Sequence, residues 1–260
     1  MPGLESLSLT VLLWIVAVMA LAGLVQGALG FGFPFVATPL VAMASDMRTA
    51  IIMVLLPTIA TNLINTVTGG PLRPVLARFW TMPIYAMVGS FAGTWLFVIT
   101  PGTPYSLLLA LIIIGYLNLD RISRGDWPLV RRHERVFAPL AGVAGGIFEG
   151  TVNVAVPPLI IFYLALELTP AMLVQALNIC FLVGKSTQFA VLTARGGVTA
   201  AQWLSTLPLV LIGMAGFLAG ARVRNRIDAL RFRVWVKRAL LVIALALLAQ
   251  YAYQQLAGAA

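Results

Sequence analysis

Long apolar segments alternate with short polar stretches along the whole chain, at about 7–44, 49–67, 79–99, 105–119, 136–166, 169–193, 201–221 and 239–254. Several hold the ~20 consecutive apolar residues needed to cross a hydrocarbon core ~30 Å thick. The pattern predicts membrane-embedded helices without a soluble domain, since the longest polar stretch is about 120–135. The first and fifth segments are interrupted in the same way. One reads GALGFGFPFVATPL over 27–40 and the other GIFEGTVNVAVPPL over 146–159, so that Gly27 and Gly146 stand 119 residues apart, as do Pro39 and Pro158. Gly and Pro inside a hydrophobic run break the helix and leave backbone N–H and C=O groups without partners. Hydrocarbon cannot satisfy such groups, so they must face protein, water or a ligand.

The two halves match beyond the breaks. GSFAG at 89–93 corresponds to GFLAG at 216–220, a small-xxx-small spacing that lets membrane helices approach closely. Trp80 and Trp203 open the third and seventh segments and suit interfacial anchors. Charge placement tests the topology. If all eight segments cross once, the loop cations divide evenly, eight to a side, against the positive-inside rule. If the fifth segment dips in and returns, 14 fall on one side and only Arg48 and Arg195 on the other. Making the first segment a hairpin as well leaves that count unchanged, and internal similarity favours it. The first arm, about 20 residues, is nevertheless long enough to span alone. The expected fold is an all-α polytopic membrane protein of two inverted repeats, each a broken-helix hairpin plus three transmembrane helices. The first repeat covers 1–119, a basic cytoplasmic linker 120–135, and the second repeat 136–260.

Composition narrows the function classes. Hydrophobic residues make up 61% of the chain and charged residues 10%, which places it among integral membrane proteins. The net charge of +9 resides largely in two loops, one with Arg121, Arg124, Arg131, Arg132 and Arg135, the other with Arg222, Arg224, Arg226, Arg231, Arg233, Lys237 and Arg238. Basic loops of this kind set topology, and no soluble basic module points to nucleic acid. A single cysteine, Cys180, excludes an intrachain disulfide. Glu5 is the only charge ahead of a long first apolar run, which argues against a cleaved signal peptide. The lone histidine, His133, reads as a solvated loop residue, and no His/Cys cluster has metal-ligand spacing. Neither a Gly-x-Ser-x-Gly elbow nor a Walker loop occurs, so no enzyme activity and no cofactor is expected.

Two ionisable residues lie deep in apolar segments, Lys185 in the sixth and Glu149 at the break of the fifth. A charge at the bilayer centre costs at least ~2.5 kcal/mol, and such residues usually mark a polar pathway. The plain alternative is a structural pair. Gln175, Asn178, Lys185 and Gln188 line one face of the sixth segment, and Thr58, Thr61, Asn62, Asn65 and Thr68 form a stripe on the second. Amides in such stripes either join helices or line a cavity. Their equivalent positions, each just after a break, favour a shared cavity. The second arms are expected to begin near Pro34, in a first helical turn, and near Asn153, as an N-cap. Helix starts present free N–H groups and partial positive charge. With Lys185 they make a donor-rich site for an anion, formed by Gly30, Gly32, Phe33, Pro34, Asn62, Asn65, Gly150, Thr151, Asn153, Gln175, Asn178, Lys185 and Gln188, with Glu149 as a proton carrier. Broken helices at corresponding positions of two halves point to secondary transport. A membrane assembly protein and a cation carrier using Glu149 as ligand stay open beside this reading.

The Gly-rich break ending in Pro39-Leu40, its repeat at Pro157-Pro158-Leu159, and the stretch from Pro208 through Gly216 and Gly220 to Ala221-Arg222 resemble the sulfite exporter TauE/SafE family of permeases, over nearly the whole chain. The resemblance implies secondary transport of sulfur-containing anions, sulfite or organosulfonates, across a bacterial inner membrane, with proton or sodium coupling left open. The second break departs from the family's glycine run, carrying Glu149 and Asn153 where a larger organic anion with its own donors would fit. Apolar faces on the third and seventh segments suit a homodimer or an intramolecular bundle equally.

Overall fold

The computed structural model describes residues 8–118, 127–224 and 229–258, with the side chains of 229–233 and 257–258 left aside. Glu5, Arg121, Arg124 and Arg226 lie outside the described residues, as do the side chains of Arg231 and Arg233. Every described element is a helix.

The first broken segment becomes α1 (Leu9–Leu29) and α2 (Phe33–Ala44). The helix ends where Gly30 and Gly32 take positive φ of 85° and 115°, a region closed to most side chains. Gly30 N–H donates to Gln26 O, and Pro34 sits in the first turn of α2, where its missing N–H costs nothing. The Asp46 carboxylate caps α3 (Met47–Thr68) by accepting from Thr49 N–H at 3.0 Å. A short helix α4 (Leu72–Phe79) precedes α5 (Thr81–Ile99), and α6 (Tyr105–Leu117) follows. In the second half, α7 (Pro128–Arg132) leads into the broken pair α8 (Glu134–Val152) and α9 (Val156–Ala165). Thr169 caps α10 (Pro170–Ala194), and a Thr199–Gln202 capping box starts α11 (Ala200–Ser205). Then come α12 (Leu207–Val223) and α13 (Ala229–Gly258).

Three boundaries differ from the hydrophobic pattern. The short helices α4 and α11 are separate from the spans they precede. Pro83 and Pro208 lack the N–H that would bond the carbonyl four residues back, so each run is interrupted there. The last helix begins ten residues before the apolar run, at Ala229, and within this extension Lys237 and Arg238 lay their cations over the rings of Tyr116 and Trp235. The second hairpin differs most, and Asn153 is taken up below.

Among the described residues, six helices are long and apolar enough to cross a membrane: α1, α3, α5, α10, the α11–α12 pair and α13. The chain is therefore an all-α, multi-pass membrane protein. The second hairpin arms are short, 12 residues in α2 and 10 in α9. At 1.5 Å per residue they reach about 15–18 Å, roughly half a bilayer.

The hairpins are clasped by the opposite half. α1 packs along α12, and α8 packs along α5. The contacts are backbone to backbone. A Cβ on Gly27 would overlap the carbonyl of Phe217, and one on Gly146 would overlap that of Ala86 and stand 2.6 Å from Ser90 N. Along each seam the pairing climbs in step, Gly23 with Gly213 then Gly27 with Phe217, and Gly142 with Met82 then Gly146 with Ala86, so both pairs run parallel. The sequence motif at 89–93 and 216–220 is thus the receiving face of both seams. α3 and α10 cross between them, and α6 packs on α13.

Candidate functional site

At the first break, one turn before the end of α1, Gln26 is fully buried. Its Oε1 accepts from Phe33 N–H at 2.9 Å and so caps α2; its Nε2 donates to Asn62 Oδ1 at 2.9 Å. Asn65 and Asn178 both donate to Gly30 O, at 3.0 and 2.8 Å, so residues of α3 and α10 meet on one carbonyl of the turn. The Gly30 carbonyl, freed by the break, is satisfied by amides of both halves. Arg224 also reaches this tip: its Nη2 lies 3.6 Å from the place a Gly30 Cβ would take.

At the second break, α8 ends at Asn153, whose φ is 68° and whose N–H donates to Glu149 O at 2.9 Å. Asn153 is therefore the left-handed cap of the first arm, not the N-cap of the second. Asn tolerates that conformation better than most residues, and Pro157 near the start of α9 sets the new helix three residues later. Pro157 and Pro158 also leave the first turn of α9 short of N–H donors, so the first break offers the better helix-start site.

Lys185 closes the second cluster. Its Nζ donates to Asn153 Oδ1 at 2.5 Å, Asn153 O at 3.1 Å and Gln188 Oε1 at 3.1 Å, and stands 3.5 Å from Glu149 Oε1. Gln188 Nε2 donates to Glu149 O at 3.1 Å, matching what Asn65 does to Gly30 O at the first break. Asn153 Nδ2 donates to Thr38 Oγ1 on α2, which ties the second break to the first hairpin. The Glu149 carboxylate has no hydrogen-bond partner and lies directly against Gly184, whose carbonyl accepts from Ser90 Oγ at 2.7 Å. Lys185 and Glu149 are each 1% exposed, so the site is sealed from solvent.

The structure thus brings together Gly30, Phe33, Asn62, Asn65 and Asn178 at one tip, and Glu149, Asn153, Lys185 and Gln188 at the other. Asn178 and Lys185 are seven residues apart on α10, about 10 Å along one face. Gly32 and Pro34 shape the start of α2. Gly150 joins the second cluster through its carbonyl, which accepts from Gln188 Nε2 at 3.3 Å, while its Cα packs against the α5 backbone. Three expected features sit elsewhere. Thr151 bonds back to Ile147 O. Gln175 bridges to Thr66 O on α3, away from the breaks. In the α3 stripe, Thr58, Thr61 and Thr68 bond carbonyls of their own helix. Gln26, Thr38 and Ser90 were missed. Gln26 carried a legible signal, being a lone amide in an apolar helix; Thr38 and Ser90 look like ordinary helix hydroxyls that return to their own backbone.

Replacing Gln26 by Leu orphans the Phe33 N–H and one acceptor of Asn62. Each buried unsatisfied group costs about 1–3 kcal/mol. A clear drop in melting temperature in detergent is expected, and an unchanged value would show that this cap carries no stability.

Spanning helices and two broken hairpins around a buried, charged centre define a multi-pass membrane protein. The chain belongs to the family described as Sulfite exporter TauE/SafE, which it matches over residues 15–248. It matches none of the curated proteins and none of the solved structures. Membership places it among membrane transporters of sulfite-type anions.

Proposed function

We propose that the protein is a secondary active transporter of a sulfur-containing or related organic anion, of the sulfite and organosulfonate class, bound between the two helix breaks. The observation that carries this reading is Lys185, a buried cation held only by neutral oxygens and one carboxylate. Asn153 and Gln188 now turn their oxygens to it. Rotation of either amide would present N–H groups instead, and together with the ammonium they would suit the acceptor-only oxygens of a sulfite or sulfonate. Arg224, exposed beside the first tip, supplies a second attraction for an anion.

Glu149 is the one carboxylate beside Lys185 among the described residues, at 3.5 Å, and so holds the place an anion would take. Protonation of its carboxyl would free the ammonium, so anion binding and proton uptake are linked in this reading. The two hairpins enter from opposite sides, as inverted repeats; the duplicated breaks and the 14-to-2 division of loop cations support this. The basic loops face the cytoplasm of a bacterial inner membrane.

The test is a melting-temperature screen of purified protein against sulfite, sulfate, thiosulfate, taurine, sulfoacetate, other carboxylates and phosphorylated metabolites at two pH values. A ligand that binds the folded state raises apparent stability. A selective anion shift is expected, absent in Asn153→Ala, with a pH dependence that Glu149→Gln removes. A shift with a cation, and with no anion, would overturn the reading in favour of a cation carrier.

A further inference from the structure

A second basic feature lies outside the buried site. A bowl of about 870 Å³ opens between the α4–α5 junction and the start of α8, lined by Arg78, Arg131, Arg132, His133 and Arg135. Glu134 is the one carboxylate in that lining. Arg78 is paired with Glu134 at 3.5 Å and Arg131 with Glu167 at 2.6 Å. Arg132 and Arg135 are exposed and have no ion-pair partner among the described residues. The wall includes apolar groups, Met82, Tyr85 and Val136.

An apolar path leaves the bowl. Val136 lines it and is 57% exposed, and Leu140, one turn further along the same face of α8, is 61% exposed. Trp80, beside the bowl's Arg78 and Thr81, is 62% exposed, as expected of an interfacial anchor. The bowl therefore sits where headgroups meet acyl chains. Guanidinium forks match phosphate oxygens in pairs, and clustered cations at a membrane surface recruit anionic lipid. A soluble phosphate would use the arginines and leave Val136 and Leu140 without a role.

We propose that this bowl binds the phosphate headgroup of an anionic phospholipid, with an acyl chain running along Val136 and Leu140. The site is separate from the anion pathway, and its test does not depend on the transported substrate.

The experiment titrates the full-length protein in neutral detergent with phosphatidylglycerol, phosphatidylcholine or inorganic phosphate and reads melting temperature. Phosphatidylglycerol is expected to raise it saturably, with little effect from the other two. Arg132→Gln/Arg135→Gln is expected to need about thirtyfold more phosphatidylglycerol for half the effect, and each single variant about fivefold more. The single variants, at exposed positions, stand in if the double variant does not fold. Arg73→Gln/Arg222→Gln removes the same charge outside the bowl and is expected to behave as wild type. Equal weakening in that control would mean diffuse attraction and overturn the proposal. Equal stabilisation by phosphatidylcholine would also overturn it, and equal stabilisation by inorganic phosphate would assign the bowl to a soluble anion instead.

Discussion

Lys185→Met is expected to abolish anion-induced stabilisation and transport and to destabilise the protein by about 3–5 kcal/mol, because it leaves the Glu149 carboxylate buried without its counter-charge. Both residues are 1% exposed, so water cannot make good the loss. Asn153 and Gln188 each lose a charged donor as well. The double variant Glu149→Gln/Lys185→Met separates the two roles. Removing both charges is expected to restore most of the lost stability, since replacing a buried ion pair by neutral groups of similar size is often near neutral. Binding is not expected to return. A melting-temperature titration with the best anion from the screen decides the matter. If the double variant still responded to that anion, Lys185 would be a structural partner of Glu149, and the anion site would have to lie elsewhere.

The second large effect is expected at the helix seams. Gly146→Val is expected to cost about 3 kcal/mol or more, because the added side chain meets backbone and nothing there can rotate away. Its Cβ would overlap Ala86 O and stand 2.6 Å from Ser90 N and 2.8 Å from Gly89 Cα. The only relief is separation of α8 from α5, which would also shift Glu149, half a turn to a turn further along α8. Gly27→Val is the counterpart on the other seam, with Phe217 O overlapped and Ala221 N at 2.7 Å. Gly115→Ala in α6 is the control. No atom lies within 4 Å of the added Cβ, and the change gains about 1 kcal/mol of helix propensity. Melting curves of the three variants in one detergent make the comparison. If Gly146→Val melted with Gly115→Ala, the seam would be looser than its geometry implies.

Much of this arrangement was legible in the chain, for local reasons. The breaks were, because Gly30 and Gly32 open positive φ to the backbone and Pro34 fixes φ and removes an N–H, whatever surrounds them. The polar face of α10 was, because Gln175, Asn178, Lys185 and Gln188 repeat with the helix. The role of Asn153 was not. Asn is favoured both as an N-cap and in the left-handed conformation that ends a helix, and the choice depends on where α9 begins. The short helices α4 and α11 were hidden because a few residues carry too little periodicity to stand apart from the run that follows.

By itself the sequence determined that the chain lives in a bilayer, where its two hydrophobic runs are broken, and which few polar and charged residues are committed to the apolar interior. These are consequences of composition and of backbone restrictions acting over a few residues. Tertiary structure alone decided that each hairpin is clasped by the other half, that Gln26 caps α2, and that Asn178 meets Gly30 across 148 residues of chain while Lys185 meets Asn153 across 32. Such meetings follow from how helices cross. The crossings are set by backbone contact at glycines such as Gly146 and Gly27, whose partners lie far away in the chain.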